Sequence, residues 1–321
     1  MKKAVLLSVI LLTTSFSKDI VELGIEAYDQ GNYYKAAEIF STACDDGNAE
    51  CCNMLGALYS DGLGVKVDYH KAAWLYKKAC DGKSAIACSN LGDQYRDGIG
   101  VKQDIRKAIE LYEKACESKY AESCFYLGFF YENGQLTKQD YYKAAWLYEK
   151  ACDSEYANGC HNLGVLYMNG NGVKQDYIEA AKFYEKACEA DVGESCSNLG
   201  VLYENGQGVQ QDFHKAAKLF EKACDDGYSK SCNNLGNFYS KGQSVKQDHL
   251  KAAKLWQKAC DDEIGQSCSN LGVLYLKDQG IKHDYIKAIK LFKKACDLGY
   301  QTGCDYYKKI NNSNIDIIRI N

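Results

Sequence analysis

Proline is missing from this 321-residue chain, histidine occurs only five times, and basic residues hold no surplus. With no proline-rich stretch and no shift in composition, nothing marks a linker, so the length alone does not imply two domains. The 39 basic residues are outnumbered by 43 acidic ones, which argues against a nucleic-acid or anionic-membrane partner. Beyond the amino terminus no segment approaches the roughly 18 apolar residues of a membrane span. His70, His161, His214, His249 and His283 do not accompany the cysteines, so neither a metal site nor a cofactor is expected.

The chain does have cysteine, and it has it in a period. Eight pairs stand eight positions apart and recur every 36 residues: Cys44/Cys52, Cys80/Cys88, Cys116/Cys124, Cys152/Cys160, Cys188/Cys196, Cys224/Cys232, Cys260/Cys268 and Cys296/Cys304. A period of this size marks an array of supersecondary units, each too small to bury its apolar face alone. On one continuous helix, residues eight apart are separated by about 12 Å of rise, whereas a disulfide needs Cα atoms roughly 4.4 to 6.8 Å apart. The chain must therefore reverse between the two cysteines, and the short, polar, mostly Gly-bearing strings between them suit a link between helices. Zinc is the alternative use of such thiols, but four ligands would have to converge on one metal. Cys51 is the odd thiol, either free or available for an intermolecular link.

Met1, Lys2 and Lys3, the apolar run Ala4 to Leu12 and the small residues Ser15 and Ser17 predict a signal peptide over 1–17, cleaved after Ser17. Export exposes the thiols to oxidation, so a secreted or periplasmic protein is expected, soluble and without membrane insertion after cleavage. No cysteine lies near the cleavage site to carry a lipid anchor.

Within one repeat, Cys88, Leu91, Gly92 and Tyr95 share one stripe of a first helix. Leu-Gly recurs from Leu55-Gly56 to Leu271-Gly272, with Tyr four residues after each Leu. A glycine inside a helix costs about 1 kcal/mol against Ala, so its recurrence predicts close approach of a neighbouring helix. The first helix ends at a step such as Asp61-Gly62 or Asn133-Gly134, where glycine adopts the left-handed cap conformation. After a loop, Asp68, Asp104, Asp140, Asp176, Asp212, Asp248 and Asp284 precede a second helix and are read as its caps rather than as catalytic acids. That helix carries small residues and an aromatic, as in Ala72, Leu75, Tyr76 and Ala79.

The ends differ from the middle. Residues 18–49 form an amino-terminal cap with a loop four residues shorter and Asn32 at the capping position. Seven 36-residue repeats fill 50–301. Cys304 opens a carboxy-terminal capping helix within 302–321, and the tail from Asn311 to Asn321 either frays or folds back.

The sequence Leu-Gly, Tyr, Gly-x-Gly-Val, Asp and an alanine-rich helix, as in LGDQYRDGIGVKQDIRKAI from Leu91 to Ile109, resembles the Sel-one-like repeat, a relative of the tetratricopeptide repeat. With a cysteine pair per repeat and an export signal, the chain resembles the Helicobacter cysteine-rich proteins. The resemblance implies an all-α, right-handed α/α solenoid of helix hairpins, each stapled by a disulfide. Gly134-Gln135-Leu136, Gly242-Gln243-Ser244 and Lys277-Asp278-Gln279-Gly280 depart from Gly-x-Gly, so those loops are expected to differ in shape. The proline that closes a tetratricopeptide repeat is absent, and the disulfide is expected to take its place.

Ile86, Asn90, Asp93 and Asp97 point away from the stripe of Leu91 and Tyr95, since successive residues on a helix turn about 100°. In a stack of hairpins such faces line up into one surface, the concave one in this repeat class. Asn90, Asn162, Asn198, Asn234 and Asn270 recur there, with Met54 and Tyr126 in the equivalent place. An amide offers both a donor and an acceptor, as a peptide backbone does. The adjacent register is apolar at Ala57, Phe129, Val165, Val201 and Val273, on a face expected to be wet, which suits a peptide groove. Tyr126, Phe129 and Phe125 would anchor an aromatic contact, with His161 at the groove edge. The expected partner of this monomer is a peptide or protein, including peptidoglycan-derived peptide or host protein.

The competing reading is enzymatic. The family resemblance implies penicillin binding with weak β-lactamase activity. Ser-x-x-Lys, however, occurs only as Ser15 to Lys18, across the cleavage site, and neither Ser-Asp-Asn nor Lys-Thr-Gly appears. Ser231-Cys232-Asn233 resembles a Ser-x-Asn element but is accounted for by the cysteine period.

Overall fold

In the computed structural model, residues 20–135, 138–277 and 281–313 are described, with side chains to Ile310. The expected signal peptide, the loop residues Leu136 and Thr137, residues 278–280 and the tail beyond Ser313 lie outside them. The described residues form seventeen helices and no strand. The first, α1, spans 20–29. It is followed by α2 (Tyr33–Asp45), α3 (Ala49–Asp61), α4 (Tyr69–Asp81), α5 (Ala85–Asp97), α6 (Ile105–Glu117), α7 (Ala121–Asn133) and α8 (Tyr141–Asp153). Then come α9 (Ala157–Asn169), α10 (Tyr177–Glu189), α11 (Gly193–Asn205), α12 (Phe213–Asp225), α13 (Ser229–Lys241), α14 (His249–Asp261), α15 (Gly265–Lys277), α16 (Tyr285–Asp297) and α17 (Gln301–Ser313). Odd-numbered helices are the first helices of hairpins and even-numbered ones the second. The chain divides within α9 into two compact units, 1–159 and 160–321.

Within each unit, the turns from a second helix to the next first helix are closed by sulfur. In the amino-terminal unit Cys44–Cys52, Cys80–Cys88 and Cys116–Cys124 are bonded, with Cα atoms 4.6, 4.7 and 4.8 Å apart. In the carboxy-terminal unit Cys188–Cys196, Cys224–Cys232, Cys260–Cys268 and Cys296–Cys304 are bonded, at 4.7, 4.8, 4.7 and 4.4 Å. Cys152 and Cys160 are also disulfide-bonded. Inside these turns Lys83, Lys119, Glu155, Asp191 and Glu263 adopt positive φ, a conformation that non-glycine residues seldom take. A lysine of the following second helix also reaches back to the bridge: Lys78 donates to the Cys44 carbonyl at 2.7 Å and Lys222 to that of Cys188 at 2.7 Å. A cation there adds to the turn's own backbone bonds at a helix-end carbonyl, where the helix dipole favours positive charge.

Within each hairpin the Leu-Gly glycine faces an aromatic ring. A Cβ on Gly56 would sit 2.8 Å from Tyr76 Cε1, and one on Gly200 would sit 2.8 Å from Phe220 Cε1. Both rings are buried, as are Tyr112, Tyr148, Tyr184, Trp256 and Phe292 at the same register. The predicted caps form as well. Asp68, Asp104, Asp140, Asp212, Asp248 and Asp284 each accept a hydrogen bond from the backbone N–H three residues on, and Asp176 accepts from Ile178 and Glu179. Gly62, Gly98, Gly206 and Gly242 end first helices in the left-handed conformation.

One loop expectation is corrected. Ser244 keeps φ at 55°, against 68° at Gly64 and 69° at Gly208, so the serine follows the path of the glycine it replaces. Leu136 and residues 278–280 lie outside the described residues. At the carboxy terminus Ile310 of α17 is buried against Ala288 and Phe292, closing the last hairpin.

In a simple entropic model each bridge, closing a separation of eight residues, stabilises by about 2.5 kcal/mol. A thermal melt in reductant is therefore expected to lose about 10 °C or more in midpoint. An unchanged midpoint after complete reduction, verified by mass, would contradict a stabilising role for the bridges.

Candidate functional site

The residues predicted to form a binding face lie on first helices, at three neighbouring registers of the period: that of Asn90 and Tyr126, that of Phe129 and Val165, and that of His161. In the amino-terminal unit Asn90 on α5 donates its amide to Asn53 Oδ1 on α3 at 3.0 Å. In the carboxy-terminal unit Asn270 on α15 donates to Asn237 Oδ1 at 3.2 Å and to Asn233 Oδ1 at 3.3 Å, both on α13. Ser267 adds a bond to Asn233 Oδ1 at 2.9 Å. Successive first helices thus approach closely enough for their amides to meet. Asn162, Asn198 and Asn234 are half-buried at the same register, and Asn198 bonds the Tyr184 hydroxyl.

This proximity revises the picture of a wholly wet face. Val165 packs against the cluster of Ala180, Ala181 and Tyr184, and Val201 against that of Ala216, Ala217 and Phe220. Val273 packs beside Phe292. These residues are half-buried because a first helix has neighbours on several sides, so core packing accounts for part of their apolar character. Phe129, 37% exposed, remains an apolar surface residue. Phe125 is committed inward, with ring centroids 5.7 Å from Tyr148 and 5.2 Å from Tyr156. Tyr126 is half-buried beside it, its ring centroid 5.6 Å from that of Phe125.

His161 sits among polar partners. Its Nδ1 is 2.7 Å from Ser195 Oγ, and its Nε2 is 3.7 Å from Glu194 Oε2. Burial holds its pKa below the ordinary 6.5 despite the Glu194 charge. Serine, histidine and glutamate in this order mimic a nucleophile, its base and the base's orienting group. Ser195, however, is 0% exposed, so no substrate carbonyl can reach its hydroxyl. Its register is also filled by Cys51, Ala87, Ser123, Ser231 and Ser267, all buried. The position asks for a small residue at the start of each first helix, and the histidine hydrogen bond is a local embellishment of it.

The same register explains Cys51. Its thiol is buried, and burial, with a smaller effect from Glu50, pushes its pKa up to about 11. An intermolecular bridge through Cys51 is therefore corrected to a buried small residue.

A denser polar cluster occupies α5 and α6. Arg96 donates through Nε and Nη2 to the two oxygens of Asp97, at 2.8 and 2.7 Å. Its Nη1 lies 2.8 Å from Asp93 Oδ1, which also accepts from the Tyr112 hydroxyl at 2.7 Å. Burial raises the Asp93 pKa, against the opposing pull of Tyr112 and Arg96. Beside it stands Gln94, which the sequence reading passed over. Its register holds Leu58, Phe130, Leu166, Leu202, Phe238 and Leu274, and that break in an apolar column is the signal that could have found it. Among the described residues no cluster suited to a metal occurs, and no helix is long and apolar enough to cross a membrane.

The Sel1 repeat model matches residues 49–84, 85–120, 121–156, 157–192, 193–228, 229–263 and 265–300. HcpE of Helicobacter pylori, which carries beta-lactamase in its name, is 48% identical over 46 residues, 14% of this chain and 13% of that protein. Among solved structures, c5321, a protective antigen of uropathogenic Escherichia coli displaying an SLR fold, is 28% identical with a TM-score of 0.86. The match covers 92% of this chain and 64% of that one. A Sel1 repeat protein from Oxalobacter formigenes is 31% identical with a TM-score of 0.66, covering 75% of this chain and 99% of that one. The chain thus spans less than two thirds of c5321 and matches a small part of HcpE.

Two outcomes follow from this geometry. Cys51 is expected to resist alkylation by iodoacetamide in the native protein at pH 8 and to react once the chain is denatured; rapid native labelling would place it at the surface. Because the folded His161 pKa is depressed, the unfolded chain binds the extra proton as pH falls below about 6.5, and stability is lost over that range. Denaturant melts from pH 7 to 5 should show this loss reduced in His161→Gln, and parallel curves would remove His161 from the acid response.

Proposed function

The chain belongs to the Sel1 repeat family, and from that premise we propose that it is an extracytoplasmic scaffold whose first-helix face binds an extended peptide. Sel1 repeats commonly serve protein interaction, and the disulfides favour an oxidising compartment. The observation that carries the reading is the row of half-buried asparagines on first helices, in which Asn90 and Asn270 each donate to an asparagine of the preceding first helix. A side-chain amide has two donor hydrogens and an acceptor oxygen with two lone pairs, so one bond to a neighbouring amide leaves capacity for a ligand backbone. Fixed by packing, the amides are pre-organised and lose little freedom on binding. Asn162, Asn198, Asn234 and Asn270 supply the polar row in the carboxy-terminal unit, and Val165 and Val201 flank it with half-buried apolar surface. Asn90, Tyr126, Phe129 and His161 are further contact candidates. The peptide comes from a protein partner or from cell-wall peptide, in the periplasm or outside the cell.

Turnover of a β-lactam receives less support. The name of HcpE raises it, but the serine beside a histidine is fully buried.

A library of extended peptides immobilised at known density provides the test. Saturable binding is expected for a subset, weakened about tenfold in the Asn162→Ala, Asn198→Ala double variant by loss of charge-neutral hydrogen bonds, with the thermal midpoint nearly unchanged. Equal binding by the double variant would overturn the assignment of this face.

A further inference from the structure

From α3 to α17, every other residue at the Gln94 register is a buried Leu, Phe or Ile. Gln94 is as buried as they are, 6% exposed, yet its Oε1 has no hydrogen-bond partner. Leaving an amide oxygen buried and unpaired costs free energy, and leucine at this register would avoid the cost. Gln94 lines a cavity of about 220 Å³ together with Ser60, Tyr69, Tyr76, Asn90, Asp93, Asp97 and Ile99.

The charged groups of the lining, Asp93 and Asp97, are both carboxylates, and they stand beside the hydroxyls of Ser60, Tyr69 and Tyr76. Asn90, Asp93 and Gln94 lie at i, i+3 and i+4 and so share one side of α5. Asn90 spends one amide hydrogen on Asn53, and its carbonyl oxygen remains an acceptor. Arg96 is shared between two carboxylates, pairing both oxygens of Asp97 and one of Asp93. One arginine against two aspartates leaves a single negative charge beside three acceptors. Tyr69, Tyr76 and Ile99 contribute apolar surface to the same cavity.

We propose that this cavity binds a primary ammonium group on a short apolar stem, with Gln94 Oε1, Asn90 and Asp93 as acceptors. An ammonium carries three donors and one positive charge, matching three acceptors and one uncompensated carboxylate, and the stem lies against the tyrosines and Ile99. As a subsite for a lysine side chain or a peptide amino end it rests on the peptide-binding reading; as a site for a free diamine it stands without it. The carboxylates disfavour an anion, and the buried, unpaired Gln94 oxygen disfavours a purely apolar group.

Calorimetric titration of the full chain with putrescine, Nα-acetyl-lysine amide and the uncharged Nα-acetyl-norleucine amide tests it. Saturable binding of at least one ammonium probe, and none of the norleucine control, is expected. Gln94→Leu should weaken that binding by about tenfold or more while its melting midpoint holds or rises, since leucine fills this register in other repeats. Equal affinity for putrescine assigns a free diamine, and preference for the lysine amide assigns a peptide group; both keep the ammonium. No saturable binding of either probe, as in a cavity that holds only water, or unchanged binding by Gln94→Leu, overturns the proposal. The Asn162→Ala, Asn198→Ala variant alters residues of the other unit and should bind the amine unchanged, so failure of the peptide face and failure of this pocket read separately.

Discussion

A covalent bond between the end of one helix and the beginning of the next sets the conditions under which everything else packs. With Cα atoms held 4.4 to 4.8 Å apart, the turn has little freedom, and Lys83 or Glu155 can occupy a left-handed conformation that favours glycine. Helices brought together this way need room where they touch. Glycine in each Leu-Gly step supplies it, and the ring of Tyr76, Phe220 or Trp256 fills it. Aspartate caps, with Asn32 in their place at α2, then satisfy a backbone donor at the start of each second helix without a distant partner.

Against such a regular frame, exceptions at buried positions carry information. Ser123 and Ser231 fill the small-residue register without a partner for their hydroxyls, which shows that size alone is required there; the Ser195 bond to His161 is an addition. The apolar column interrupted by Gln94 is a different case, because a glutamine is as large as the leucine it replaces and yet leaves an oxygen unpaired. Asp93, at the register of Val165 and Val201, departs from the apolar pattern in the same turn. Two neighbouring polar exceptions on one helix side are hard to explain by packing, since each alone costs free energy on burial.

Features determined within one repeat were legible from the sequence. The cysteine spacing, the aspartate caps, the left-handed glycines and the small residue under an aromatic all depend on contacts within about 36 residues, and the period repeats each of them. The face of the first helices was harder to read. A helical wheel placed Asn90 and Val165 towards water, but whether a residue there is wet depends on how closely the neighbouring first helix lies, and no single repeat encodes that distance. Cys51 shows the opposite failure. Aligning it with Ala87 and Ser123 places it in the buried column, whereas counting cysteines left it free or available for an intermolecular link.

The lysine that crosses from Lys78 to the Cys44 carbonyl, and again from Lys222 to Cys188, reaches one repeat back and no further. An interaction of that reach makes the array's length quantised. Duplication or excision of a whole 36-residue block leaves every surviving neighbour facing a residue of the same kind, while an indel of any other size shifts the register at the junction. Descendants of such a gene can therefore lengthen or shorten their ligand-facing surface without redesigning the interior.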